Sequence, residues 1–289
     1  MTTQSVDTHP EAERLMIDVI RKAPVSKRFR LVQSLTQSVL WSSIHAWQES
    51  HQEVSEQEAA ICSVSCAYGT TLAQRVQAAL EMREQWHVQP ADLVTSMLSV
   101  LRVFDELHAP SYLGGSIASS LHGMQQMAQD IDLVVDLSVH MLPALVALLE
   151  QHYVLDTVEA RRAVRERTSF PLIHLDSLMK VDVILPQADG FDTAMRQQVA
   201  RYTLDERYPP FQVASACEMI LFKLQRYQRD ERSRTDGMRD DAGWNDIVGM
   251  LKVQGPDLDL VFLERWAETL DIIDTWQRAL VDAGLTMLE

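Results

Sequence analysis

The stretch Gly114–Asp136, GGSIASSLHGMQQMAQDIDLVVD, holds the reading that decides the fold. It opens on a glycine pair and closes on acids, with Asp130 and Asp132 one residue apart. SIASSLHG, ended by Gly123, predicts a short helix, and DIDLVVDL predicts a strand. Residues i and i+2 of a strand share a face. Asp130 and Asp132 therefore point one way, while Ile131 and Leu133 point the other way, toward a core. Two carboxylates this close repel each other unless a cation lies between them. Either end of the stretch alone is weak evidence, because a glycine pair is most often a turn and an edge strand can carry solvated aspartates.

Moving outward, QPADLVTSMLSVLRVFDEL predicts a helix whose core side is Leu93, Met97, Leu98, Leu101 and Phe104, and HAPSYL predicts a short strand into the glycine turn. Beyond the aspartates, HMLPALVALLEQHY reads as a helix, and FPLIHLD and KVDVILP read as strands joined by a turn around Ser177. In KVDVILP, Val181, Val183 and Leu185 share one face and Asp182 lies on the other, so a neighbouring strand can bring Asp182 beside the first pair. This alternation predicts an α+β fold, with a small mixed sheet packed against helices.

Helical segments flank that unit. In residues 1–88, THPEAERLMIDVIRKAP offers a cap at Thr8, Pro10 early in the helix and Pro24 as its breaker. VSKRFRLVQSLTQSVLWSSIHAWQESH has apolar residues at near-helical spacing, and SEQEAAICSVSCAYGTTLAQRVQAALEMREQW opens on a Ser55/Glu58 capping box and continues as further helix. This segment carries no strand signal and no chemistry; it reads as a packing or partner-binding module. From Val213 the pattern is helical again, with Met219, Ile220, Phe222, Leu224 and Tyr227 in one stretch, then a loop, then Trp244, Ile247, Val248 and Leu251 in a helix ended by Gly255. The expected division is residues 1–88, 89–212 and 213–289.

The 289 residues carry a formal net charge of -15, and residues 1–90 contribute only eight Lys/Arg and ten Asp/Glu to it. So acidic a remainder repels a polyanion and disfavours a broad nucleic-acid groove, but it is compatible with a nucleotide and a divalent cation. No apolar run approaches the roughly 18–20 residues that span a bilayer, and the polar start lacks a signal-peptide core, so a cytoplasmic protein without a membrane is expected. Cys62, Cys66 and Cys217 form no disulfide framework and read as buried structural residues.

Nucleotidyl transfer needs close backbone donors for a triphosphate and cations for the charge that develops at both ends of an in-line displacement. Mg²⁺ takes carboxylates plus substrate phosphates. Glycine turn, paired aspartates and a third strand aspartate occur here in the order this chemistry needs. Together they resemble the nucleotidyltransferase superfamily with the DNA polymerase beta-like fold. In this sequence Gly115-Ser116 is followed by 13 residues and then by Asp130-Ile131-Asp132, with Asp182 in KVDVI as the third acid.

The resemblance implies a nucleotidyltransferase core with Gly114, Gly115 and Ser116 gripping the triphosphate. It implies that Asp130 and Asp132 bind Mg²⁺ or Mn²⁺, and that Asp182 completes the metal site and helps activate an acceptor hydroxyl. ACEMILFKLQRY and RDDAGWNDIVGML further resemble the helical region of the AbiEii-type branch, where Lys223 and Asp246, with Asp241 a weaker candidate, are the positions that flank the nucleotide. The implied activity moves NMP from an NTP to an acceptor hydroxyl of a protein, tRNA or small molecule, in a toxin–antitoxin-like or defence context. Residues 1–88 are then a possible protein-binding segment. The alternative is a catalytically silent nucleotide-binding or interaction protein of such a pair. His174 reads as a hydrogen-bonded sheet histidine, RRAVRERTSF as a solvated helix face, and KLQRYQRDERSR as a basic run that could contact phosphates at a cleft mouth, diluted by acidic neighbours.

Overall fold

The computed structural model describes residue 3 and residues 8–51, 54–83, 93–187, 189–233 and 241–285. The boundary expected near residue 88 and the loop expected before the Trp244 helix lie outside the described residues. In chain order the first helices are α1 (Pro10–Lys22), α2 (Val25–Ser50), α3 (Glu56–Tyr68), α4 (Thr70–Glu81) and α5 (Leu93–Glu106). The mixed region follows as β1 (Ser111–Leu113), α6 (Gly115–His122), β2 (Asp130–Val135), α7 (Leu142–Leu149), β3 (Tyr153–Leu155), α8 (Thr157–Glu166), β4 (Ser169–His174) and β5 (Lys180–Ile184). Then come α9 (Gly190–Arg196), β6 (Ala200–Tyr202), β7 (Phe211–Val213), α10 (Ala216–Ser233), α11 (Asp241–Gln254), α12 (Leu260–Thr269) and α13 (Ile273–Ala283). The fold is α+β with helical flanks.

Local signals explain several boundaries. Pro10 occupies the first turn of α1, and the cap is His9 rather than Thr8, because the residue directly before the helical proline is the one whose side chain reaches the free N–H groups. Its Nδ1 accepts from the Glu11 N–H at 3.3 Å. The Ser55/Glu58 capping box is present at the start of α3. The helix read as continuing from there breaks at Gly69, where φ is 93°, and restarts as α4. The three-residue strands β3, β6 and β7 were not legible, since no glycine turn flanks them as Gly114-Gly115 flanks the equally short β1.

Contacts divide the chain into two compact units. The first comprises residues 1–29, 118–125 and 195–289, and the second residues 30–117 and 126–194, so α2, α6 and α9 each contribute to both.

In the second unit five strands run in the order β3-β4-β5-β2-β1. β2 and β5 are parallel, and the other neighbours in this series are antiparallel. Ile131, Leu133, Val135, Val181 and Val183 are fully buried on one face of the central pair. Helix α5 packs against β1 and β2, and α8 against β4. Helices α2, α3 and α4 share a core with this sheet: Ile44, Ala59, Ala60, Val64, Ala73, Val76 and Leu80 cluster with Ile173, Leu175 and Leu178. Helices α2, α3 and α4 thus pack on the strand β4 and the turn after it. Arg75 pairs with Asp156, and Arg83 pairs with Asp176 at 2.9 Å.

In the first unit the hairpin β6–β7 accompanies α10–α13, built around Leu224, Ile247, Leu251, Leu263 and Trp276, each fully buried. Helix α1 packs on α11. Glu13 and Lys252 form a buried pair at 2.9 Å, and Arg21 donates to the carbonyls of Lys252 and Val253. A buried charge is tolerable only when paired in this way. Phe222, read among the apolar residues of α10, is 45% exposed, because it falls off the stripe formed by Ile220, Leu224 and Tyr227. Cys66 is exposed and Cys62 and Cys217 are half-buried, which corrects their reading as buried residues: their neighbours on the helices, not they, meet the core.

Leu80 is 1% exposed at the centre of the α3–α4–β4 core. Leu80→Ala is expected to lower unfolding free energy by about 2–5 kcal/mol, the usual cost of such a cavity. Urea denaturation of the purified chain measures it. A loss below about 1 kcal/mol would show that α4 does not contribute to the core of the sheet.

Candidate active site

The pairing of β2 with β5 builds the site. The strands are parallel and in register, with Asp130 opposite Lys180 and Asp132 opposite Asp182. Opposed residues on neighbouring strands share a face. Four ionisable side chains, Asp130, Asp132, Lys180 and Asp182, therefore stand on one face of two strands, while the alternating Ile131, Leu133, Val181 and Val183 are buried on the other. One oxygen from each of Asp130, Asp132 and Asp182 can be chosen such that all lie within 4.8 Å of one another.

The turn before α6 closes over Asp132. The Gly114 N–H donates to the Asp132 carbonyl at 2.9 Å, continuing the β1–β2 ladder into the turn. Gly115 has φ of 60°, and a Cβ at that position would lie 1.6 Å from Asp132 Oδ2. Only glycine satisfies both the conformation and the space. The Ser116 N–H, at the first turn of α6, bonds to the Asp132 carboxylate. The N-terminal N–H groups of a helix lack partners within the helix and favour negative charge.

Electrostatics divides the three acids. Burial, the Asp130 charge and the Asp182 charge push the Asp132 carboxyl up to about 6, against which Lys180 and the Ser116 N–H act. Asp182 is also raised, by burial first, with Lys180 opposing. Lys180 Nζ lies 3.1 Å from Asp130 Oδ2 and 2.7 Å from Asp182 Oδ2. Burial acts to lower the Lys180 pKa, but the hydrogen bonds and charges of Asp182 and Asp130 outweigh it, and the ammonium form is favoured. The carboxylates are hard oxygen donors of the kind Mg²⁺ and Mn²⁺ take, and a cationic group of this chain already sits between two of them. The donor set thus fits a divalent cation.

Lys180 and Tyr68 join the site and were not among the residues expected there. Lys180 lies two residues before Asp182, with only Val181 between them, so strand periodicity puts it on the same face. Tyr68 ends α3, in the segment expected to carry no chemistry. Its ring lies beneath Lys180 Nζ, 5.6 Å from the centroid, and its hydroxyl donates to the Gln129 carbonyl at 2.7 Å. Burial pushes the Tyr68 hydroxyl up to about 12, so it remains a neutral donor. Its contact with Asp130's neighbourhood is long-range in sequence and could not be read from α3 alone.

Lys223 and Asp246 come together in the first unit, on the adjacent helices α10 and α11. Lys223 Nζ lies 2.6 Å from Asp246 Oδ2, and Ser119 Oγ donates to the same oxygen at 3.1 Å. Asp246 is 6% exposed, and its Oδ1 is buried with no hydrogen-bond partner. The pair and the carboxylate cluster belong to different compact units. Asp241 is the first residue of α11.

His174 is the satisfied sheet histidine that the strand pattern implied: it is buried, and its Nδ1 shares a hydrogen bond with Ser177 Oγ at 2.8 Å, which in turn meets Ser96 Oγ at 2.7 Å. The arginines 161, 162 and 165 of α8 are exposed, as expected of a solvated face.

No family model matches the chain, and no curated protein matches it. Among solved structures, it is similar to an antigenic nucleotidyltransferase-like protein from Paracoccidioides brasiliensis, at 16% identity and a TM-score of 0.39, over 66% of this chain and 94% of that one.

Gly115→Ala is expected to displace Asp132 and remove divalent-ion binding while far-UV circular dichroism stays that of the wild type; unchanged Mn²⁺ binding would refute the close approach. The Asp132 carboxyl also sets a pH dependence. Its folded value of about 6 lies above its ordinary 3.8, so between the two the native state holds a proton that the unfolded chain has released. Stability of the metal-free protein therefore falls as pH rises through this window. Asp132→Asn should raise the Tm at pH 8 and leave it unchanged near pH 4, as followed by calorimetry in chelator.

Proposed function

We propose that this chain is a metal-dependent nucleotidyltransferase that moves NMP from an NTP to an acceptor hydroxyl and releases pyrophosphate. The observation that carries this reading is the in-register set Asp130, Asp132 and Asp182, with the Gly115 turn closed on Asp132. Carboxylates spaced for a cation, next to a helix start that favours anions, are what a triphosphate and its cation require. The resemblance to the AbiEii-type branch adds Lys223 and Asp246 as nucleotide-binding residues, and it points to a toxin–antitoxin-like or defence setting.

Each group has a distinct task. Gly114, Gly115 and Ser116, at the turn into α6, take the triphosphate, where the helix start favours an anion. Asp130, Asp132 and Asp182 hold Mg²⁺ or Mn²⁺. Such an ion, when bound, neutralises charge on the α-phosphate and the departing pyrophosphate. The acceptor oxygen forms a bond to the α-phosphorus, the bond to the bridging pyrophosphate oxygen breaks, and Asp182 takes up the hydroxyl proton. Lys223 serves as a point charge for a phosphate, oriented by Asp246. Rate comes mainly from positioning and electrostatics.

Labelled NTPs, Mg²⁺ or Mn²⁺ and a cell lysate test the reading. Label is expected on a protein, tRNA or small molecule, and the fraction that carries it identifies the acceptor. Asp130→Ala with Asp132→Ala should lower labelling by at least about 10²–10³-fold, the scale for loss of preorganised electrostatics. Equal labelling by the double variant would sink the assignment. Lys223→Met is expected to weaken NTP binding about tenfold, the equivalent of roughly 1.4 kcal/mol, by equilibrium titration.

A further inference from the structure

Lys180 is the one cation that this chain itself places on the carboxylate face among the described residues. Its position is built in three ways. Register with Asp130 puts it on the shared face, and the spacing of two from Asp182 keeps it there. Its Nζ bridges Asp130 Oδ2 and Asp182 Oδ2 at 3.1 and 2.7 Å. The Tyr68 ring lies beside the ammonium, in the geometry that attracts a cation to an aromatic face. Lys180 forms no ion pair with Asp132, which is held instead by the Ser116 N–H.

We infer that Lys180 is a resident cation that restricts the cluster to a single divalent ion. Three carboxylates and one ammonium carry a formal charge of minus two, which one divalent ion neutralises. Nζ stands between Asp130 Oδ2 and Asp182 Oδ2, so the three acids can hold one ion while the place a second would take is occupied by the ammonium. In the transfer reaction the second positive charge near the acceptor is then this ammonium. It needs no recruitment from solvent, and Lys180 acts as a positioning residue for Asp130 and Asp182. The inference rests on the proposed metal-binding role of the three aspartates.

Mn²⁺ alone, titrated into the full chain at neutral pH and followed by electron paramagnetic resonance, tests it without reference to activity. Wild type is expected to bind one ion per chain. Lys180→Gln should bind two, with the spin–spin broadening of neighbouring ions, because the space and the missing charge are then both available. Lys180→Arg, which keeps the charge, should bind one. Two ions in wild type, or one in Lys180→Gln, would overturn the inference and leave the metal-binding role intact. No ion in either protein would overturn that role and the inference with it. The wild-type count decides the matter even if Lys180→Gln does not fold.

Discussion

Three carboxylates share one face of two hydrogen-bonded strands, and their mutual repulsion is the constraint around which the second unit is arranged. Parallel register brings Asp132 directly opposite Asp182, where like charges side by side are destabilising. The chain meets that cost locally. Lys180 spans two of the acids, the start of α6 donates to the third, and Tyr68 lies beside the ammonium. Each of these comes from a different element, so the site depends on the packing of α3, α6, β2 and β5 together. The fully buried Ile131, Leu133, Val181 and Val183 on the opposite face hold the two strands in the register that creates the problem.

The same arrangement explains why α3 and α4 belong with the sheet. Ile173 of β4 lies opposite Lys180 of β5, and so on the carboxylate face. Helices α3 and α4 cover Ile173, and the end of α3 delivers Tyr68. One apolar contact thus sets the position of a residue that touches the charged group. In the first unit, the buried pairs Glu13–Lys252 and Lys223–Asp246 follow the same rule, that an ion removed from water keeps a partner.

Much of the carboxylate site was legible because it is local. A glycine turn, a short helix and an acid–apolar–acid strand lie within 23 consecutive residues, and the period of two along a strand assigns their faces. Asp182 was legible for the same reason, since alternating valines mark its strand. Lys180 obeys that period too, and its place on the acidic face follows from the same alternation. The three-residue strands β3, β6 and β7 were beyond reach, because no flanking glycine turn marks them as one marks the equally short β1.

By itself the sequence determined the element types around the glycine turn, the opposite facing of aspartates and core residues, and the acidic character of the chain. These follow from local stereochemistry and composition. Tertiary structure alone decided that β2 and β5 pair in parallel with Asp132 against Asp182, that Gly115 touches Asp132, and that Tyr68 reaches Lys180 from 112 positions away. Such choices depend on which apolar faces bury one another across the chain, and no window of neighbouring residues contains that information.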